Sequence, residues 1–109
     1  MTRKFVFTQP FRACWKAMGL SDGDLPALEE ALLADPQLGD VIEGTGGARK
    51  MRIRLQGRGK SGGGRVVYLD VFEKESIYLL FAYPKSVQPD LTPEQTRLIR
   101  RAVEAIKGE

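Results

Sequence analysis

The chain has 109 residues, 42% of them hydrophobic, with a net charge of +3, no histidine and a single cysteine, Cys14. That length suits one domain, residues 1–109, with one modest core, and the lone thiol excludes an internal disulfide. The longest apolar run, "IYLLFAY", falls far short of the ~20 residues that cross a bilayer, and no signal peptide is visible, so a soluble cytoplasmic protein is expected.

In chain order, "KFVF" reads as a short strand. In "TQPFRACWKAMG" the residues Phe11, Cys14, Trp15 and Met18 recur at helical spacing, with Thr8 as cap, Pro10 in the first turn and Gly19 as stop. That stripe reads as core. A second helix is predicted from about Asp24 to Ala34, with Leu25, Leu28, Ala31 and Leu32 on one face and "DPQLGD" ending it. "GTGG", residues 44–47, is a turn cluster leading into "RKMRIRL". There Met51, Ile53 and Leu55 alternate with Lys50, Arg52 and Arg54, the period of a strand with one buried face, so the three cations share a side. "RVVYLDVF", a turn around "EKES" and "IYLLFAY" are predicted to form an antiparallel hairpin, and apolar residues on both its faces place it in mid-sheet. Pro84 ends it. "LTPEQTRLIRRAVEAIK" opens with a capping box, Thr92 to Gln95 with Pro93 first in the helix, and carries Leu98, Ile99, Ala102, Ala105 and Ile106 as its apolar stripe. The order predicts an α+β layout in which helices cover one face of an antiparallel sheet and the basic residues lie on the other.

Between the basic strand and the hairpin, "GRGKSGGGR" has the letters of two phosphate-binding glycine loops and the context of neither. A dinucleotide loop needs a helix after its glycines, and here a strand follows. A Walker loop needs a glycine where this chain has Arg54. The stretch reads as a hairpin connection, and its basic character belongs to a wider pattern. From Ala17 to Ala48 there is no Lys or Arg, while Asp22, Asp24, Glu29, Glu30, Asp35, Asp40 and Glu43 fall there. Then Arg49, Lys50, Arg52, Arg54, Arg58, Lys60 and Arg65 follow with no acid before Asp70. Like charges side by side repel, so lining them up is useful only opposite a polyanion, and nucleic acid is the simplest one.

"GDVIEGTGGARKMR", then "GKSGGGRVVY", then an aromatic strand ending in Tyr-x-Lys, in that order and spacing, resembles the HigB branch of the RelE/ParE toxin superfamily, the toxin halves of type II toxin–antitoxin modules. The likeness covers nearly the whole chain. It implies a small RelE-like fold of microbial-ribonuclease type, with two N-terminal helices, an antiparallel sheet and a C-terminal helix. It further implies a ribosome-dependent endoribonuclease that cuts translated mRNA in the A site and forms a hetero-oligomer with a helix-turn-helix, HigA-like antitoxin. No cofactor or metal is expected.

By this route the ribose 2′-hydroxyl attacks the adjacent phosphate, which calls for a base, an acid and cations around the phosphorane. Without histidine, proton transfer falls to Lys, Tyr, a carboxylate or the ribosome. Lys50, Lys60 and Lys85 are candidate bases, since a lysine crowded by cations loses its proton more readily. The resemblance implies catalytic roles for Arg65, which would lie beside the scissile phosphate, and for Tyr83 and Lys85, and the candidate base Lys60 is counted with them. Arg49, Lys50, Arg52, Arg54 and Arg58 are expected to bind RNA. Relatives often carry glycine where this chain has Pro84, which stiffens that segment. Two readings from other classes stand beside this one: a ParE-like gyrase inhibitor, disfavoured by the short segment between Phe7 and Pro36, and a nucleic-acid binder without catalysis, disfavoured because "RKMRIRL" offers no aromatic for stacking.

Overall fold

Two strands that are apolar on both faces cannot lie on the surface of a sheet one layer deep, and this requirement organises the molecule. The computed structural model describes residues 2–54 and 63–108. Its elements are β1 (Lys4–Phe7), α1 (Gln9–Ala17), α2 (Leu25–Ala34), β2 (Asp40–Val41), β3 (Arg49–Ile53), β4 (Gly64–Val71), β5 (Ser76–Pro84) and α3 (Pro93–Lys107). They form one five-stranded sheet in the order β1-β5-β4-β3-β2. The α+β class expected from the sequence holds, and three details differ.

First, β1 pairs with β5 in parallel, while the other pairings are antiparallel. The chain leaves β1 through α1 and α2, crosses to β2 and meanders back, so the last strand arrives beside the first with the same heading. Second, the two-residue β2 extends the sheet beyond the basic strand and turns back through residues 44–47, where Gly44, Gly46 and Gly47 all take positive φ. Third, helices cover both faces. Phe11, Trp15 and Met18 of the first helical stretch and Leu28 and Leu32 of α2 pack with Met51, Val66, Tyr68, Ile77, Leu79 and Ala82. On the opposite face Ile99, Val103 and Ile106 of α3 pack with Ala48, Val67, Leu69, Val71, Leu80 and Tyr83. Alternating apolar residues on both faces of β4 and β5 leave no uncovered face that could be wholly basic. In α3, Val103 joins the buried stripe, whereas Leu98, predicted to be inward, is 56% exposed, and Ala105 is exposed too.

One irregularity re-aims half a strand. Tyr68 pairs with Leu79 but its neighbour Val67 pairs with Phe81, so Leu80 is an extra residue in β5. Ile77 and Leu79 face α1 and α2, and strict alternation would send Phe81 and Tyr83 the same way. The bulge reverses the phase, and Leu80, Phe81 and Tyr83 all join the core under α3.

The face under α1 and α2 is tied to the β2 edge by Tyr68. Its fully buried hydroxyl accepts from the Gly39 N–H at 2.8 Å and donates to the Pro36 carbonyl at 2.9 Å. Gly39 sits so close to β3 that an added Cβ would lie 2.5 Å from the Lys50 carbonyl oxygen. Tyr68→Phe removes the partner of both backbone groups and is expected to cost about 1–3 kcal/mol in equilibrium urea unfolding. A change under about 0.5 kcal/mol would show that the two groups find other partners.

Candidate anion-binding site

Register, more than loop geometry, assembles the site. Arg52 of β3 pairs with Arg65 of β4, and Arg65 pairs with Tyr83 of β5, so the three side chains form one row across three strands. The row lies on the α3 face, to which the β5 bulge delivers Tyr83. Lys50 stands two residues along β3 from Arg52 and so projects from the same side. The row passes from water to interior: Arg52 is exposed, Arg65 is 8% exposed and Tyr83 only 2%.

The register therefore places two arginines opposite each other on neighbouring strands. Arg65 is also withdrawn from water, with Nη1 donating to the Gly64 carbonyl at 3.1 Å. At the inner end, the Tyr83 ring meets Phe81 with centroids 6.1 Å apart. Its buried hydroxyl has no hydrogen-bond partner among the described residues. Burial, together with the negative charge of Asp90, raises the phenol's pKa above the ordinary tyrosine value, and Arg65 partly offsets this. At neutral pH the group is therefore a hydrogen-bond donor waiting for an acceptor. An anion against Arg52 and Arg65 would bring opposite charge to two cations and an oxygen within the neighbourhood of that donor.

The segment after β5 closes over this end, with Leu91 packed into the α3 core. The Lys85 N–H donates to the Gly63 carbonyl at 3.0 Å, and the Pro84 carbonyl accepts from the N–H groups of Val87 and Gln88. Pro84 therefore begins a hydrogen-bonded turn as well as ending the strand. The Gln88 amide nitrogen donates to the Asp90 carbonyl at 2.9 Å and to the Gln95 Oε1 at 2.8 Å. Gln95 is the reciprocal partner of Thr92 in the capping box of α3. The start of the helix thus holds the turn that carries Lys85 and Asp90. The Asp90 carboxylate accepts from the Leu91 N–H at 2.8 Å and from Lys50 Nζ at 3.2 Å. Those two contacts and the nearby Lys85 charge lower the carboxyl pKa below its ordinary value, so it is anionic throughout the neutral range.

The residues singled out in the sequence divide accordingly. Lys50, Arg52, Arg65 and Tyr83 share one face, and Lys85 lies exposed on the turn beside them. Arg49 does not join them. It is on the α1 and α2 side of β3, where Nη1 donates to the Gly39 carbonyl at 2.7 Å and braces the β2 edge. Arg54 is exposed just beyond β3. Arg58 and Lys60 lie outside the described residues. Lys50 has a carboxylate against it, so the crowding by cations that would make it a base is not what the structure shows. Asp90 escaped the sequence reading. It is 40 positions from Lys50, and "PDLTP" signals only the start of a helix.

The family model described as the RelE toxin of the RelE/RelB toxin–antitoxin system matches residues 5–108. Among solved structures, an arginine double mutant of E. coli toxin RelE in the free state is 18% identical with a TM-score of 0.54, covering 82% of this chain and 90% of that one. The isolated E. coli RelE toxin is 17% identical with a TM-score of 0.53, covering 92% and 98%. The toxin fold in the intact E. coli RelBE toxin–antitoxin complex is matched at 18% identity and a TM-score of 0.51, over 75% and 95%. At such identities the structures speak for a common fold, and the family match, which spans the sheet, all three helices and the row of Arg52, Arg65 and Tyr83, makes this chain a member of the RelE toxin family.

Proposed function

We propose that this toxin is a ribosome-dependent mRNA endoribonuclease of the HigB branch, which stops translation by cutting mRNA in the A site. The row of Arg52, Arg65 and Tyr83 carries the reading: two cations and an unsatisfied donor on one face fit a phosphate that gains charge as it reacts. In this scheme the 2′-oxygen attacks phosphorus, its proton leaves to a base, the phosphorane charge falls to Arg65 and Arg52, and the 5′-oxygen departs with a proton. Tyr83 donates a hydrogen bond to the phosphate. Its raised pKa keeps it protonated at neutral pH, so it serves as a donor and not as the base. Lys85, exposed on the turn, and Lys60 remain candidates for proton transfer, and Lys50, Arg54 and Arg58 for guiding the RNA strand. The site's own acid–base set is thin, which favours a reaction that the ribosome completes by fixing the mRNA backbone.

The branch assignment rests on the order and spacing of "GDVIEGTGGARKMR", "GKSGGGRVVY" and the Tyr-x-Lys strand end. With it comes a HigA-like antitoxin carrying a helix-turn-helix domain. The E. coli RelE relative is found in complex with its antitoxin, which supports a hetero-oligomer here.

Inducing the chain without an antitoxin should arrest growth and produce new RNA 5′ ends inside translated regions, while purified protein should cut naked RNA poorly. Arrest with intact mRNA would instead favour a gyrase inhibitor, and efficient cutting of naked RNA would remove the ribosome from the scheme.

Arg65→Ala should lower ribosomal cleavage by about 10²–10³-fold with an unchanged circular dichroism spectrum, as expected when a cation aimed at developing charge is lost. Arg65→Lys should recover only part, because a point charge does not replace a forked donor. Full activity in Arg65→Ala would remove this residue from the chemistry.

Tyr83→Phe separates function from stability. The hydroxyl has no partner among the described residues, so its removal should leave stability unchanged or raise it by about 1 kcal/mol. Cleavage should nonetheless fall at least tenfold. Unchanged cleavage would make Tyr83 a core aromatic and nothing more.

A further inference from the structure

Among basic residues that would meet a polyanion, Asp90 is out of place, and although its side chain is exposed to water it is held in position. Its backbone carbonyl is held by Gln88, which is bonded to Gln95 in the α3 capping box, and its carboxylate accepts from the Leu91 N–H. That fixed carboxylate meets Lys50 Nζ at 3.2 Å, across 40 positions of sequence, on the face that carries Arg52 and Arg65. Its charge also reaches Tyr83 at the inner end of the row and Lys85 on the turn.

Such an arrangement has a cost for a site that needs positive charge. It removes one cation from service and places a negative charge where RNA phosphates must pass. Loss of function is one consequence, and discrimination is the other. A ligand that arrives weakly held, such as free RNA, must break the Lys50–Asp90 pair from its own modest binding energy. An mRNA already fixed on the ribosome meets no such limit, because positioning is supplied elsewhere.

Resting on the ribonuclease reading above, we propose that Asp90 is a specificity-determining residue: held against Lys50, its carboxylate stands in for an RNA phosphate in the free toxin, weakens binding of unpresented RNA and yields Lys50 only to mRNA delivered by the ribosome. Asp90 contributes a standing charge, not a proton acceptor. Its lowered pKa makes it a weak base, and Lys50 already occupies it.

Asp90→Asn tests this cleanly, since an amide oxygen still accepts from the Leu91 N–H and only the charge is lost. The measurement is fluorescence anisotropy with a single-stranded RNA 2′-O-methylated at every position, which cannot be cut, across a salt series. Asp90→Asn should bind roughly threefold to tenfold more tightly than wild type at low salt, with a steeper salt dependence as Lys50 gains a phosphate. Lys50→Ala should weaken binding, and adding Asp90→Asn to it should recover much less than Asp90→Asn gives alone. Unchanged or weaker binding by Asp90→Asn overturns the proposal, as does an equal gain with and without Lys50, which would reduce Asp90 to distant repulsion. Loss of ribosomal cleavage in Asp90→Asn with binding kept would make it the proton acceptor instead. Mapping of RNA 5′ ends after wild-type induction judges the ribonuclease reading separately: cleaved mRNA with no affinity gain rejects only the role of Asp90, whereas intact mRNA rejects the reading itself.

Discussion

The hairpin of β4 and β5, apolar on both faces, is the constraint from which the rest follows. A sheet with one wet face could have been closed by α1 and α2 alone. Val67, Leu69, Val71 and Leu80 point the other way and need a second cover, which is α3. Each burial removes apolar area from water at about 25 cal/mol per Å², and neither face can be given up without exposing large side chains. The basic residues consequently have no sheet face to themselves. They share one with α3 and emerge where β3, β4 and the end of β5 meet.

That sharing gives the site its gradient. A cation on an open sheet would be screened by water, whereas Arg65 sits in the sheet interior between exposed Arg52 and buried Tyr83. Charge interactions strengthen as the surroundings lose water, so an anion placed between them would interact more strongly with Arg65 than with Arg52. The proposed function uses that gradient, with attraction at the outer end and chemistry at the inner one.

Most of the elements were legible because their signals are local. Thr8 and Thr92 do cap α1 and α3, Pro93 does open α3, and Met51 is buried while Arg52 is exposed. What the sequence hides is relational. Nothing in "IYLLFAY" says that Leu80 bulges, yet that extra residue decides whether Tyr83 faces α1 or stands beside Arg65. The phase of a strand is readable from alternation only while alternation holds, and a two-faced apolar strand offers none to follow. Arg49 shows the converse. It belongs to the same basic run as Arg52, but the odd phase of β3 sends it to the Gly39 carbonyl. A run of charge in sequence is two sets of residues once it becomes a strand.

The connection between α3 and the site is the least visible in sequence and couples stability to function. Gln95 satisfies the Thr92 N–H at the head of the helix and accepts from Gln88, and Gln88 in turn holds the Asp90 carbonyl. A capping box is ordinarily a local device that quiets the unsatisfied N–H groups of a helix end. Here it also anchors the segment that sets Asp90 against Lys50. Because α3 is seated by Ile99, Val103 and Ile106 on the same core that contains Tyr83, one helix both anchors the turn and covers the tyrosine.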